Sequence, residues 1–143
     1  MTGLVGDKVK IIARDGLVIA SSAQGFLGIY NYNLELQESW VLAQQDLDPY
    51  NLALNVRSAD QYEVYYAGRK SIGMIRKTTN LDGEPVFNNQ PNIFEMDPAP
   101  QDATKAHQIY LSVSGDYLSW KTQSEQYLYT TAVCAPGFSW TDY

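Results

Sequence analysis

Displaced by 100 positions, the first third of this chain overlays its last third without a gap. Val9 falls on Ile109, Ile11 on Leu111, and the Asp15-Gly16 pair on Gly115-Asp116. Leu17-Val18 falls on Tyr117-Leu118, Leu27 on Tyr127, Ile29 on Tyr129, and Trp40 on Trp140. A middle unit fits at a displacement near 45, where Leu27-Gly28-Ile29-Tyr30 meets Ile72-Gly73-Met74-Ile75. Self-similarity at a fixed period means that one small structural unit is reused, which restricts the chain to repeating architectures.

The residues of the unit favour strands. Tyr occurs 11 times and β-branched residues are frequent, and both fit a pleated, half-buried surface. Val9 to Ala13 and Leu17 to Ala20 flank Asp15-Gly16, a pair that tolerates the positive φ of a tight hairpin turn. Gln61 to Tyr65 and Ser71 to Ile75 make a second strand pair. Ile109 to Val113 turns at Ser114-Gly115-Asp116 into Tyr117 to Trp120, and Gln126 to Tyr129 follows. The units close on Glu38-Ser39-Trp40-Val41-Leu42, Asn92-Ile93-Phe94-Glu95-Met96 and Gly137-Phe138-Ser139-Trp140. The expected fold is all-β, with residues 1–143 forming a single domain.

Three roughly 45-residue units of about four short strands, each ended by a large aromatic, resemble a β-trefoil. In that family three four-stranded units make a short barrel capped by hairpins. The middle unit carries an insertion over roughly Asn80 to Pro91 that displaces its closing aromatic, Phe94. Asn80 to Ala106 reads as two exposed loops flanking a short strand at Phe94, because Pro and Gly interrupt ladders and helices. A competing arrangement is α+β, or a small barrel with a helix near 34–47. There Leu36, Trp40, Ala43 and Leu47 recur at helical spacing.

Charge and composition exclude several functions. With 10 Lys+Arg against 16 Asp+Glu the net charge is −6, which does not suit a general nucleic-acid binder. No apolar run reaches the ~18 residues of a membrane helix, so no membrane insertion is expected. Met1 to Asp7 lacks a basic stretch leading into an apolar one. Cys134 is the only cysteine, so no internal disulfide forms. The expectation is a cytoplasmic protein, or one released without a classical signal peptide.

Catalytic and metal chemistry finds little foothold. His107 and Cys134 are each single in the sequence, and a nucleophile pair would need both. There is no Gly-X-Ser-X-Gly elbow and no Gly-rich phosphate motif. One His and one Cys cannot build a structural zinc site. Asp46 and Asp48 have calcium-loop spacing, but Pro49 follows and the required Gly is missing. The expectation is a protein without enzymatic activity, cofactor or metal.

Two surface features point to binding. Tyr30-Asn31-Tyr32-Asn33, and Asp116-Tyr117 with Trp120, place aromatics beside Asn or Asp at turns, with Tyr30, Asn31, Asn33, Asp116, Tyr117 and Trp120 as the candidate sugar-binding residues. Sugars bind through flat aromatic faces, with Asn and Asp fixing the hydroxyls. Separately, Arg69, Lys70, Arg76 and Lys77 give a stretch of +4 with no acid between Glu63 and Asp82. What the trefoil resemblance implies is binding, as in lectins and in protease inhibitors of the same fold. The Gln-X-Trp signature of the lectin branch is absent here: Glu38-Ser39-Trp40 and Phe138-Ser139-Trp140 lack the Gln, and Phe94 stands for the middle Trp.

The leading expectation is therefore a carbohydrate-binding, lectin-like protein with glycan or glycoprotein partners. The second is a protease inhibitor acting through Arg69 and Lys70, or through an Asn88-Asn89 loop stiffened by Pro85 and Pro91. Self-association into a homodimer is compatible with both.

Overall fold

The computed structural model describes residues 8–22, 25–42, 49–58, 60–68, 71–95, 109–114, 117–122 and 129–132. They form eleven strands in three antiparallel sheets, and no helix occurs among the described residues. The all-β expectation holds at this level. Contacts divide the chain into two units, residues 1–52 and 53–143.

The first unit is a meander of β1 (Val9–Arg14), β2 (Leu17–Ser22), β3 (Phe26–Asn31) and β4 (Leu36–Val41), in that spatial order. The Asp15-Gly16 turn joins β1 to β2 with φ of 54° and 85°. Two consecutive positive φ values match the right-handed twist of a two-residue hairpin. The central strands are buried, with Ile19, Leu27, Ile29 and Tyr30 fully enclosed. Burial without a hydrogen bond is costly for a backbone N–H, and the buried Tyr50 N–H donates to Ser21 Oγ at 2.8 Å.

Residues 36–41 are strand, so the helix expected near 34–47 is corrected over that span; residues 43–48 lie outside the described residues. A bulge explains the misleading spacing. Ile29 pairs with Glu38 and Tyr30 with Leu36, so Gln37 is an extra residue in β4. An inserted residue breaks the period of two that marks a strand.

The second unit holds β5 (Asn51–Ser58) from Ala53 onward, β6 (Gln61–Ala67), β7 (Ser71–Thr79) and β8 (Pro85–Glu95), again in sequential order. A three-stranded sheet of β9 (Ile109–Ser114), β10 (Tyr117–Thr122) and β11 (Tyr129–Ala132) completes it, with β10 in the middle. Its Leu111, Val113, Leu118 and Trp120 pack with Ala53, Tyr65, Ala67, Ile72 and Met74. Strand alternation explains the set: Leu118 pairs with Val113 and Trp120 with Leu111, all on one face. Burial pushes the Tyr50 and Tyr62 hydroxyls up to about 12, because the charged form loses its hydration.

β8 overturns the first of the two loops expected to flank a short strand at Phe94; the second, over 96–106, lies outside the described residues. β8 runs unbroken through Pro85 and Pro91. Pro85 is its first residue, where no ladder donor is needed. Pro91 lies where the register shifts, between the Met74–Gln90 and Ile72–Phe94 pairs, and a bulge tolerates a residue without an N–H.

The middle-unit insertion is also relocated. Tyr30 and Ile75 correspond at a displacement of 45, but Asn31 and Asn80 at 49. The extra residues, 76–79, extend β7 and pair with 85–88 of β8. A longer hairpin, with no added loop, absorbs them.

Candidate functional site

Two hairpin tips share one local design. In the β3–β4 tip, Asn31 Oδ1 accepts from the Asn33 N–H at 2.9 Å and the Glu35 N–H at 3.0 Å. The Leu34 N–H donates to the Asn31 carbonyl at 2.9 Å, and the Asn31 N–H to the Glu35 carbonyl at 3.1 Å. In the β7–β8 tip, Asn80 Oδ1 accepts from Asp82 at 3.0 Å and Glu84 at 2.9 Å. The Gly83 N–H donates to the Asn80 carbonyl at 3.0 Å, and the Asn80 N–H to the Glu84 carbonyl at 2.9 Å.

The chain thus uses the same five-residue turn twice, as Asn31-Tyr32-Asn33-Leu34-Glu35 and Asn80-Leu81-Asp82-Gly83-Glu84. The fourth residue is left-handed in both, with φ of 62° at Leu34 and 81° at Gly83. A side-chain oxygen that caps two backbone donors replaces water and fixes the turn. Asn31→Ala and Asn80→Ala should each lower the unfolding free energy by about 1–2 kcal/mol. Asn33→Ala, an exposed neighbour, should lie within about 0.5 kcal/mol of the parent. Chemical denaturation of the three variants checks this.

Each tip raises an apolar side chain at its second position. Tyr32 is 60% exposed and Leu81 fully exposed. Asn33 and Asp82 stand beside them, both exposed. Tyr32 therefore offers a ring face next to an amide, on a backbone already fixed by Asn31.

Of the six expected sugar-binding residues, Tyr30, Asn31 and Asn33 belong to the first unit and Tyr117 and Trp120 to the second. Tyr30 is fully buried in the first unit, with Val18 and Ala20. This corrects its expected place at a rim: it ends an inward-facing row before the turn begins. Asn31 is committed through its carboxamide oxygen to the tip. Asn33 is exposed. Tyr117 is 61% exposed at the start of β10. Trp120 is half-buried and packs against the core of the second unit. Asp116 lies outside the described residues.

Tyr32, in the same segment, is the exposed aromatic of the tip. Its alternation with Tyr30 suggests a shared face, but the turn ends the strand between them. The signal for that turn is Asn31, whose oxygen sits two residues before one N–H and four before another.

For the inhibitory reading, Arg69 and Lys70 lie outside the described residues. Asn88 and Asn89 are inside β8, paired with Arg76 and Ile75. Their expected place on a loop is corrected. Asn89 Oδ1 accepts from the Tyr66 hydroxyl at 2.7 Å, a contact that ties the sheet together. No group of three or more His, Cys, Asp or Glu that could hold a metal occurs among the described residues; His107, Cys134, Asp46 and Asp48 are outside them. Set against known proteins, the chain matches no family model, no curated protein and no solved structure.

Proposed function

We propose that this chain is a non-catalytic, lectin-like carbohydrate-binding protein whose three repeats form a β-trefoil, with glycans as partners. The observation that carries the reading is the β3–β4 tip. Tyr32 is exposed next to Asn33, and Asn31 holds the turn through two hydrogen bonds. A flat ring packs on the C–H face of a sugar, and an adjacent amide both donates to and accepts from hydroxyls. A turn fixed in advance loses little freedom on binding, and lost freedom is a main cost of association.

The repeat supports the trefoil part. β1 and β9 cover 9–14 and 109–114, and β2 and β10 cover 17–22 and 117–122, at the displacement read from the sequence. The middle meander follows near 45, with its hairpin lengthened. In such an arrangement the equivalent tips carry different side chains, Tyr32-Asn33 and Leu81-Asp82, so the first is the sugar-binding one.

A glycan array probed with the purified chain tests the function. Binding to a defined glycan is expected. Tyr32→Ala and Asn33→Ala should each weaken it at least tenfold, about 1.4 kcal/mol, with an unchanged thermal midpoint. Undiminished binding in both variants would remove the tip as the site. A folded parent that binds nothing on the array would remove the function itself.

A further inference from the structure

We infer that Leu34 is a specificity-determining residue of the β3–β4 tip, and that it selects sugars carrying an acetamido group, of which the 2-acetamido hexoses are the simplest. The inference rests on the reading of that tip as a sugar site and names the kind of sugar.

It starts from a mismatch between side chain and backbone. Leu34 has a φ of 62°, in the left-handed region where a Cβ crowds the following carbonyl oxygen. Glycine escapes that cost, and asparagine is among the residues that bear it best. The twin tip keeps to this rule: with the same backbone hydrogen bonds, it places Gly83 at the equivalent position, with a φ of 81°. The turn itself therefore does not call for a leucine. Burial does not repay the strain in full either, because Leu34 is 48% exposed. Strain that the local structure does not require points to a role in binding.

The neighbours of Leu34 indicate what it would touch. Tyr32, Asn33 and Leu34 fill three consecutive positions of one turn, and all three are exposed. A flat ring, a carboxamide and a branched aliphatic chain thus follow one another on a backbone fixed by Asn31. An acetamido sugar carries the matching groups in the same order: a C–H face, an amide and a terminal methyl. The Tyr32 ring packs on the C–H face. The Asn33 carboxamide donates to the acetamido carbonyl and accepts from its N–H. Leu34 covers the methyl and so removes two apolar surfaces from water at once. A plain hexose has a hydroxyl in place of that group and leaves Leu34 in water.

Titration of the isotope-labelled full chain, followed by NMR, tests this with N-acetylglucosamine, N-acetylgalactosamine, glucose and galactose. At least one acetamido sugar should bind about tenfold or more tightly than its parent hexose, as a buried methyl and an amide hydrogen bond together allow. Leu34→Gly and Leu34→Asn both suit a left-handed backbone, so their thermal midpoints should equal or exceed the parent's. Each should lose about fourfold in affinity for the acetamido sugar, the worth of one methyl contact, with hexose affinity unchanged. Equal affinity of the parent for acetamido sugar and hexose overturns the inference and leaves the tip as a sugar site. An acetamido preference that survives in both variants overturns it too. So does a midpoint lowered by several degrees in both, which would make Leu34 a packing residue. A parent that binds none of the four sugars also overturns it, and the glycan array then decides whether the sugar site falls with it.

Discussion

Replacing Glu63 with alanine should lower the unfolding free energy by about 3–5 kcal/mol, the usual result of removing one partner of a buried ion pair. Glu63 lies on β6 with its side chain 1% exposed, and its Oε1 accepts from Arg57 Nε at 2.6 Å. Arg57 is itself only 16% exposed. Across the next strand, Arg76 is the direct partner of Glu63 in the ladder. The acid is therefore held by the Arg57 guanidinium from β5 and opposed in the ladder by Arg76 of β7. Without it, two like charges share a poorly hydrated place. Glu63→Gln keeps an acceptor but no charge, so it should fall between parent and alanine variant. Salt should change the difference little, because buried pairs are weakly screened. The combined change Arg57→Met, Glu63→Leu and Arg76→Met should be milder than Glu63→Ala, since no uncompensated charge remains. Urea unfolding measures all three. A loss below about 1 kcal/mol for Glu63→Ala would place the pair with surface ion pairs and refute the account.

The second large effect is expected at Gly73, where alanine should cost about 1–3 kcal/mol through overpacking. Gly73 faces Tyr66 across the β6–β7 ladder. A Cβ added there would overlap the outer ring atoms of Tyr66. That ring cannot move aside freely: Tyr66 is buried, and its hydroxyl is tied to Asn89. The missing side chain of the glycine is the space the tyrosine fills. Combining Tyr66→Ala with Gly73→Ala should make the second substitution nearly neutral, which a double-mutant cycle would show as strong coupling. Additive losses would mean that Gly73 matters for another reason. Gly28, its counterpart in the first unit, lies under the ring of Tyr30, where an added Cβ would come within 2.9 Å. The two matched glycines each leave room for a tyrosine ring by a different route, Gly28 for Tyr30 on its own strand and Gly73 for Tyr66 across the ladder.

Those glycines show what was legible in the sequence. The Asp15-Gly16 hairpin was readable because few residue pairs accept two positive φ values. The repeat located β1, β2, β9 and β10 because burial imposes the same alternation on each copy. β8 was hidden by its prolines, since a strand's first residue and a bulge tolerate Pro, and neither position is marked in the chain. β4 was ambiguous because the Gln37 bulge disturbs its alternation. The candidate sugar-binding residues are less legible. Composition shows which side chains can meet a sugar, but only the turn decides that Tyr30 faces inward and Tyr32 outward. Asn31 read as a ligand because the same carboxamide that would hold a hydroxyl also caps a turn.

Among the described residues, every strand pairing in the three sheets joins neighbours in the sequence. No ladder waits for a distant segment to arrive, so the entropy lost in closing each connection is small. Hairpins of this kind form on a scale of about 1–10 μs. Among the described residues, the ladders of the first meander join only its own four strands. During synthesis it can zip together as soon as it leaves the ribosome, with the second unit still unmade.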